Sequence, residues 1–282
     1  MPDGDGFDLL ADETRASILR ELAAARRETP RDPAVSFSTL RERVGITDSG
    51  RFNYHVGELT GHFVESTDDG YRLSPVGQQA ASSILADAYS DPPDRGPVDL
   101  DEHCGRCGDR LEGTYEDGIL RVNCANSHGY AEALPPAVLE GATLQEATDA
   151  LDAKIRGDLA AVRRDACPAC LGSVDWQFET DLSPEAPVEA VYVAVCQCCG
   201  HQHSLNPGMF VFDHPAVVAA YHDVGVDLRD RPLWTIDCCV PGAATLSSTD
   251  PPRMRVTAGP ERDCEFRLDA TATVVDAPEQ DH

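Results

Sequence analysis

The feature that most constrains this chain is a set of spaced cysteines. "CGRC" (104–107) and "CANSH" (124–128) come first, and "CPAC" (167–170) and "CQCC" (196–199) follow. A Cys-x-x-Cys turn aims two thiolates at one point, and two such turns that converge make a tetrahedral metal site. The first set is Cys104, Cys107, Cys124 and His128, with 16 residues between its inner cysteines. The second is Cys167, Cys170, Cys196 and Cys199, with 25 residues between them. The second is the more specific, because both of its halves are Cys-x-x-Cys. The first depends on His128, and a three-cysteine site completed by His103 or by water is the alternative. His201 and His203 lie beside the last knuckle as spare donors. Four protein ligands close a site, and closed sites build structure, whereas a catalytic zinc keeps a position open. The expected cofactors are therefore two structural Zn2+ ions. Iron–sulfur ligation is the lesser option, because the spacings differ from the ferredoxin runs.

Metal ligation also fits the compartment. The start, "MPDGDGFD", is acidic and lacks the apolar stretch of a signal peptide. No run approaches the ~18 apolar residues of a membrane helix. The expectation is a cytoplasmic protein in a reducing medium, where 11 cysteines mean metal ligands before disulfides. Asp and Glu number 49 against 23 Lys and Arg, a formal net charge of -26, and Lys154 is the single lysine. Acid spread along the chain with lysine avoided points to a salt-rich cytoplasm, a halophilic adaptation. An acidic partner-binding surface is the alternative.

The expected fold class is α+β and multidomain. Residues 7–90 read helix, helix, helix, hairpin, helix. "LLADETRASILREL" puts Leu10, Ile18, Leu19 and Leu22 on one face, with Asp12 as N-cap. "FSTLRERVG" makes a short second helix. Ser49 is the expected cap of a third, on which Phe52, Val56 and Leu59 face inward. "FVESTDDGYRLS" alternates around an Asp-Gly turn, and Ser74-Pro75 opens a helix expected to reach about Tyr89. The proline-rich, acidic stretch 91–102 reads as a linker. Residues 103–134 and 166–205 read as two small β modules, each a Cys-x-x-Cys turn, a hairpin and a second knuckle. They resemble zinc ribbons, which recur as interaction modules in transcription and RNA proteins. A helix within 135–165, opened by a Thr143–Glu146 capping box, joins them. The segment 206–282 reads as α+β, with a helix in "HPAVVAAYHDVG" and strands in "PRMRVTA" and "CEFRLDATATVVDA".

If Phe52, Val56 and Leu59 face inward, then Ser49, Gly50, Arg51, Asn53 and Tyr54 face outward at the N-terminal half of their helix. That half carries the positive end of the dipole and enters the major groove in helix-turn-helix proteins. Arg51 can bond guanine or phosphate, and Asn53 can pair with adenine. Arg72, in the hairpin, can reach a flanking phosphate. His55 reads equally as a packing residue and a phosphate contact. "LLADETRASILREL", "FSTLRERVGITDSGRFNYHVGELTGHFVE" and "YRLSPVGQQAA" resemble the ArsR-like winged helix-turn-helix regulators, particularly those of halophilic archaea. The resemblance covers roughly a third of the chain. It implies a transcriptional regulator that binds double-stranded DNA as a homodimer, paired through the first and last helices of the domain. The metal sensors of that family carry cysteines in or beside these helices. Here the first cysteine is Cys104, which argues against such a switch.

A charge of -26 does not exclude this reading. Residues 1–90 carry -6 and the rest -20, and between Phe37 and Val56 three arginines face two acids. In molar salt the Debye length is about 3 Å, so remote carboxylates are screened while direct contacts survive. No phosphate-cradling glycine loop, nucleophile elbow or HExxH motif occurs, so no catalytic residue is expected. The leading expectation is a sequence-specific DNA-binding regulator whose zinc modules contact a partner, a ligand or the second subunit. The alternative is a zinc-ribbon adaptor of transcription or RNA metabolism that docks proteins through its winged helix. For the homodimer, Val76, Ala80, Ile84 and Ala88 form a small-residue stripe at steps of four. Its competing role is to pack back on Leu10 and Leu22. Cys198, Cys238, Cys239 and Cys264 are left over. Cys238 and Cys239 read as small buried residues in or near a strand, with a redox or metal sensor as the alternative.

Overall fold

The computed structural model describes residues 5–31, 33–88, 90–182 and 188–278. The fold is mixed α+β, and the chain forms two compact units. The first comprises Met1–Asp91 with Pro135–Ala137, and the second Pro92–Leu134 with Val138–His282. Among the described residues no helix is long and apolar enough to cross a membrane.

The N-terminal unit contains α1 (Asp5–Leu10), α2 (Glu13–Glu28), α3 (Phe37–Val44), α4 (Ser49–Leu59), the hairpin β1 (Val64–Thr67) and β2 (Gly70–Leu73), and α5 (Pro75–Leu85). The expected first helix is two, because Asp12 caps a fresh start: its Oδ1 accepts from the Arg15 amide at 3.0 Å. Ile18, Leu19, Leu22, Leu40, Phe52, Val56 and Leu59 form the buried core as their spacing predicts. The Phe37 ring meets Phe52 edge-on at 5.0 Å. The hairpin turns at Asp68-Asp69 rather than Asp69-Gly70, since Thr67 pairs with Gly70. Val35 and Tyr71 exchange two backbone hydrogen bonds of 2.9 Å, an extra bridge that no periodicity announces.

The boundaries of α4 and α5 differ from expectation. The cap of α4 is Asp48, not Ser49: Asp48 Oδ1 accepts from the amides of Gly50 at 2.7 Å and Arg51 at 3.0 Å. Asp and Ser are about equally good caps, so adjacent candidates are decided by backbone geometry, and a carboxylate also suits the positive helix end. Those amides, Arg51 first, hold the Asp48 carboxyl below its ordinary range. Helix α5 stops at Leu85, so Ala88 is not on it, and the expected end at Tyr89 lies outside the described residues. Ala80 and Ile84 pack on the unit's own core, while Val76, 53% exposed, faces away.

Among the described residues the C-terminal unit holds three antiparallel sheets. The first runs β3 (Arg95–His103), β4 (Arg110–Glu116), β5 (Ile119–Cys124) and β6 (Gly129–Ala133). After α6 (Leu144–Val162) come β7 (Val174–Glu179), β8 (Val191–Cys196) and β9 (Gln202–Leu205). After α7 (Pro215–Asp223) come β10 (Ala244–Thr249), β11 (Pro252–Ala258), β12 (Cys264–Leu268) and β13 (Val274–Asp276). The stretch read as a linker, 91–102, is largely strand. β3 lies at the sheet edge and buries only Leu100, so prolines and acids are tolerated there and mimic a linker.

The pieces read as separate modules share one core. The capping box of α6 is present, and its Leu144, Ala147, Leu151, Ile155, Leu159 and Val162 are buried in a cluster with Cys104, Cys167, Trp234 and Phe266. The 206–282 segment is therefore not a separate domain. Asp152 on α6 accepts from the Leu233 amide at 2.8 Å, and Tyr192 on β8 donates to the Asp269 carbonyl at 2.7 Å. β10 escapes a sequence reading because only partly buried and exposed residues alternate along it.

Candidate metal centres and the exposed face of α4

Both predicted ligand sets assemble. In each, one ligand atom per residue lies within 4.8 Å of the other three: Cys104, Cys107, Cys124 and His128 in one, Cys167, Cys170, Cys196 and Cys199 in the other. His128 fills the fourth place of the first set, and His103 does not join it. In the first set Cys104 Sγ lies 3.6 Å from His128 Nδ1, and Cys107 Sγ lies 3.6 Å from Cys124 Sγ. In the second set Cys167 to Cys199 is 3.8 Å and Cys170 to Cys196 is 3.5 Å. These separations are far beyond a disulfide, ~2.05 Å. They match two thiolates on one tetrahedral ion with bonds of about 2.3 Å, which stand roughly 3.8 Å apart. The donor sets, three sulfurs with one nitrogen and four sulfurs, could each hold a zinc ion.

The two centres are built by the same turn. The Cys104 amide donates to the Asp109 carbonyl at 2.8 Å, and the Gly108 amide donates back to Cys104 at 2.9 Å. Cys167 repeats this with Gly172 and Leu171, both at 2.8 Å, and Cys196 with His201 at 2.9 Å and Gly200 at 3.1 Å. The residue four past the first cysteine is left-handed each time: Gly108 (φ 75°), Leu171 (φ 60°) and Gly200 (φ 74°). The Cys124 turn is one residue shorter. Its amide bonds His128 at 3.1 Å, and the left-handed residue is Ser127 (φ 59°). The shortened turn presents an imidazole, which reaches further than a thiol, in place of the fourth sulfur. Strand register completes the repeat: Cys124 pairs with Leu111 and Cys196 with Val174, each four residues past the preceding Cys-x-x-Cys.

Amide donors surround the sulfurs. The amides of Cys198 and Cys199 point at Cys196 Sγ at 3.3 and 3.4 Å. With the Cys199 amide as the largest cause, the Cys196 thiol is lowered to about 6. Cys104 is pushed up to about 11, chiefly by burial. Asn126, which the sequence reading passes over, donates to Cys107 Sγ at 3.5 Å and to Asp109 at 2.6 Å. Its one signal is its place inside the "CANSH" knuckle. Arg106, between two ligands, reaches Asp237 at 3.4 Å and the Gly242 carbonyl at 3.0 Å, tying the first centre to the segment after α7. Cys238 and Cys239 are buried, as expected, though in a 3-10 turn and not a strand. Burial pushes the Cys239 thiol well above its ordinary value. His201 and His203 stay outside the second centre.

On α4, Ser49, Gly50, Arg51, Asn53 and Tyr54 are all exposed, while Phe52, His55, Val56 and Leu59 are buried. Among the described residues Arg51 makes no side-chain ion pair. Arg43 is held by Glu28 at 3.0 Å and Arg72 by Glu65 at 2.8 Å across the hairpin. Arg72 is thus exposed but already partnered. His55 Nδ1 lies 3.5 Å from Asp12, which makes it a packing residue of the helix junction.

A family model described as a domain of unknown function, DUF7351, matches residues 101–274. That is more than half of the chain, which therefore belongs to the DUF7351 family. A second domain of unknown function, DUF7347, matches residues 3–84. The matches fall one on each compact unit. No curated protein and no solved structure matches the chain.

Proposed function

We propose that this chain is a DNA-binding transcription regulator, with an ArsR-like winged helix-turn-helix in its N-terminal unit and two structural zinc ions in its C-terminal unit. The observation that carries the reading is the polarity of α4. Its inward face is buried and, apart from His55, apolar, and its outward N-terminal half presents Arg51, Asn53 and Tyr54 beside Ser49 and Gly50. Arg51, free of an ion pair among the described residues, is the group suited to a guanine edge, and Asn53 to an adenine edge. A docking helix would carry apolar residues there. Asp48 lies close by, but its carboxylate is occupied by two amides of its own helix.

The zinc ions hold the knuckles of the second unit and leave no position for substrate, since protein atoms supply all four ligands in each centre. Pairing of two chains is part of the proposal. Large exposed apolar residues of the first unit include Phe7 on α1 and Val76 and Leu85 on α5, its first and last helices. A dimer pairing them would set two α4 helices against successive major-groove turns, ~34 Å apart.

The test is selection from a randomised duplex pool by the full chain in molar potassium chloride. A recurrent palindromic motif is expected, and Arg51→Ala should weaken binding to it by about 1–3 kcal/mol. An unenriched pool, or a motif bound equally well by Arg51→Ala and Asn53→Ala, would turn the unit into a protein-docking module.

A further inference from the structure

A third cluster of metal-ligating side chains lies apart from both cysteine centres. Glu132 on β6, Asp158 on α6 and His203 on β9 each bring one ligand atom within 4.8 Å of the others. β6 is the last strand of its sheet and β9 the last strand of the next, so the cluster forms where two sheet edges meet α6. His203 is 6% exposed; its Nε2 is buried with no hydrogen-bond partner, and its Nδ1 is 4.0 Å from Asp158 Oδ2. The imidazole is thus aimed at Asp158 through a nitrogen that lies beyond hydrogen-bond distance of it, and no protein group satisfies its other nitrogen. His201 packs against His203, with ring centroids 4.3 Å apart and planes tilted by 52°.

The local charge does not balance. Asp158 pairs with Lys154, whose Nζ is 2.5 Å from its Oδ2 one helical turn away, and Glu132 makes no ion pair among the described residues. Burial pushes the Glu132 carboxyl up, and the Asp158 charge adds to it against the opposing pull of Lys154. Burial lowers His203, which favours the neutral imidazole, the form that ligates metals. Lys154 is the only lysine in 282 residues. Its ammonium stands where a cation is wanted.

We propose that Glu132, Asp158 and His203 form a binding site for a divalent first-row cation, in competition with the Lys154 ammonium. One nitrogen and two carboxylate oxygens suit zinc, cobalt, iron or manganese, and are harder than the thiolate sets. Three protein ligands leave a coordination position for water or a small anion, which neither cysteine centre offers. A purely structural salt cluster makes the opposite prediction about Lys154: losing it should weaken the site and attract no metal.

Cobalt(II) separates the two. The full chain, as purified, is titrated with Co2+ and followed by isothermal calorimetry and optical absorption. Cobalt entering a cysteine centre announces itself by an intense thiolate-to-metal band, whereas cobalt at Glu132, Asp158 and His203 gives only weak visible bands. One equivalent of the second kind is expected. Glu132→Gln should weaken it by at least about tenfold, and His203→Gln likewise. Lys154→Gln should tighten it, a direction that a structural role cannot produce. Glu132 is only partly buried, so its variant keeps the test alive if His203→Gln fails to fold. Absence of a thiolate-free equivalent overturns the proposal, as does one that Glu132→Gln and Lys154→Gln leave unchanged.

Discussion

The two compact units solve the same problem by different means. The N-terminal unit closes its core with helix faces and caps. Its buried cluster is aliphatic and aromatic, and it contains no cysteine. The C-terminal unit places cysteines in its core and turns its chain on knuckles that repeat one hydrogen-bond pattern. The stabilisation of an apolar core is proportional to buried area and tolerates some looseness. A ligand set on one ion does not, because each donor must reach a fixed distance. The first unit should therefore weaken gradually under substitution, and the second should fail when its donors are removed.

The largest test is metal removal. Stripping the full chain with a strong chelator should abolish hydrogen-exchange protection in the segments 104–128 and 167–201, and leave α2 and α4 protected. Structural zinc contributes roughly 10–16 kcal/mol in small zinc modules, as much as the whole stability of a typical domain. Unchanged protection in both units would erase the contrast. Next is Phe52→Ala. Phe52 is fully buried, and its loss should cost about 3–5 kcal/mol, confined to the first unit, with zinc stoichiometry at two per chain. Loss of zinc in this variant would mean that the units do not fail separately.

A sharper test distinguishes the two centres. Gly172 sits so close to the second centre that an added Cβ would meet Cys198 Cβ at 2.6 Å and Cys170 Sγ at 3.3 Å. Gly172→Ala should lower zinc affinity there by at least about tenfold, the effect of disturbing the shell around a ligand, and leave the first centre intact. Equal loss at both centres would show that they load as one. The smallest effect belongs to a cap. Ser74 Oγ accepts from the Gly77 amide at 2.9 Å and donates to the His62 carbonyl at 2.7 Å. Ser74→Ala should cost the first unit about 1 kcal/mol in a denaturant titration. A cost several times larger would make that unit as brittle as its neighbour.

The sequence by itself determined the local elements. The spacing of Ile18, Leu19, Phe52, Val56 and Leu59 names buried helix faces, and Thr143 with Glu146 names the start of α6. These are contacts between near neighbours, and a helix repeats every 3.6 residues whatever surrounds it. Both ligand sets were legible for the same reason, since a Cys-x-x-Cys turn is a local object. Tertiary structure decided the rest. It made β3 an edge strand where composition suggested a linker, chose Asp48 over Ser49, and paired Arg72 with Glu65. It also drew the two β modules and the 206–282 segment around α6 into one core. The Glu132–Asp158–His203 cluster is its clearest product. Those residues lie far apart in sequence with no shared spacing, and only the approach of two sheet edges to one helix brings their donor atoms together.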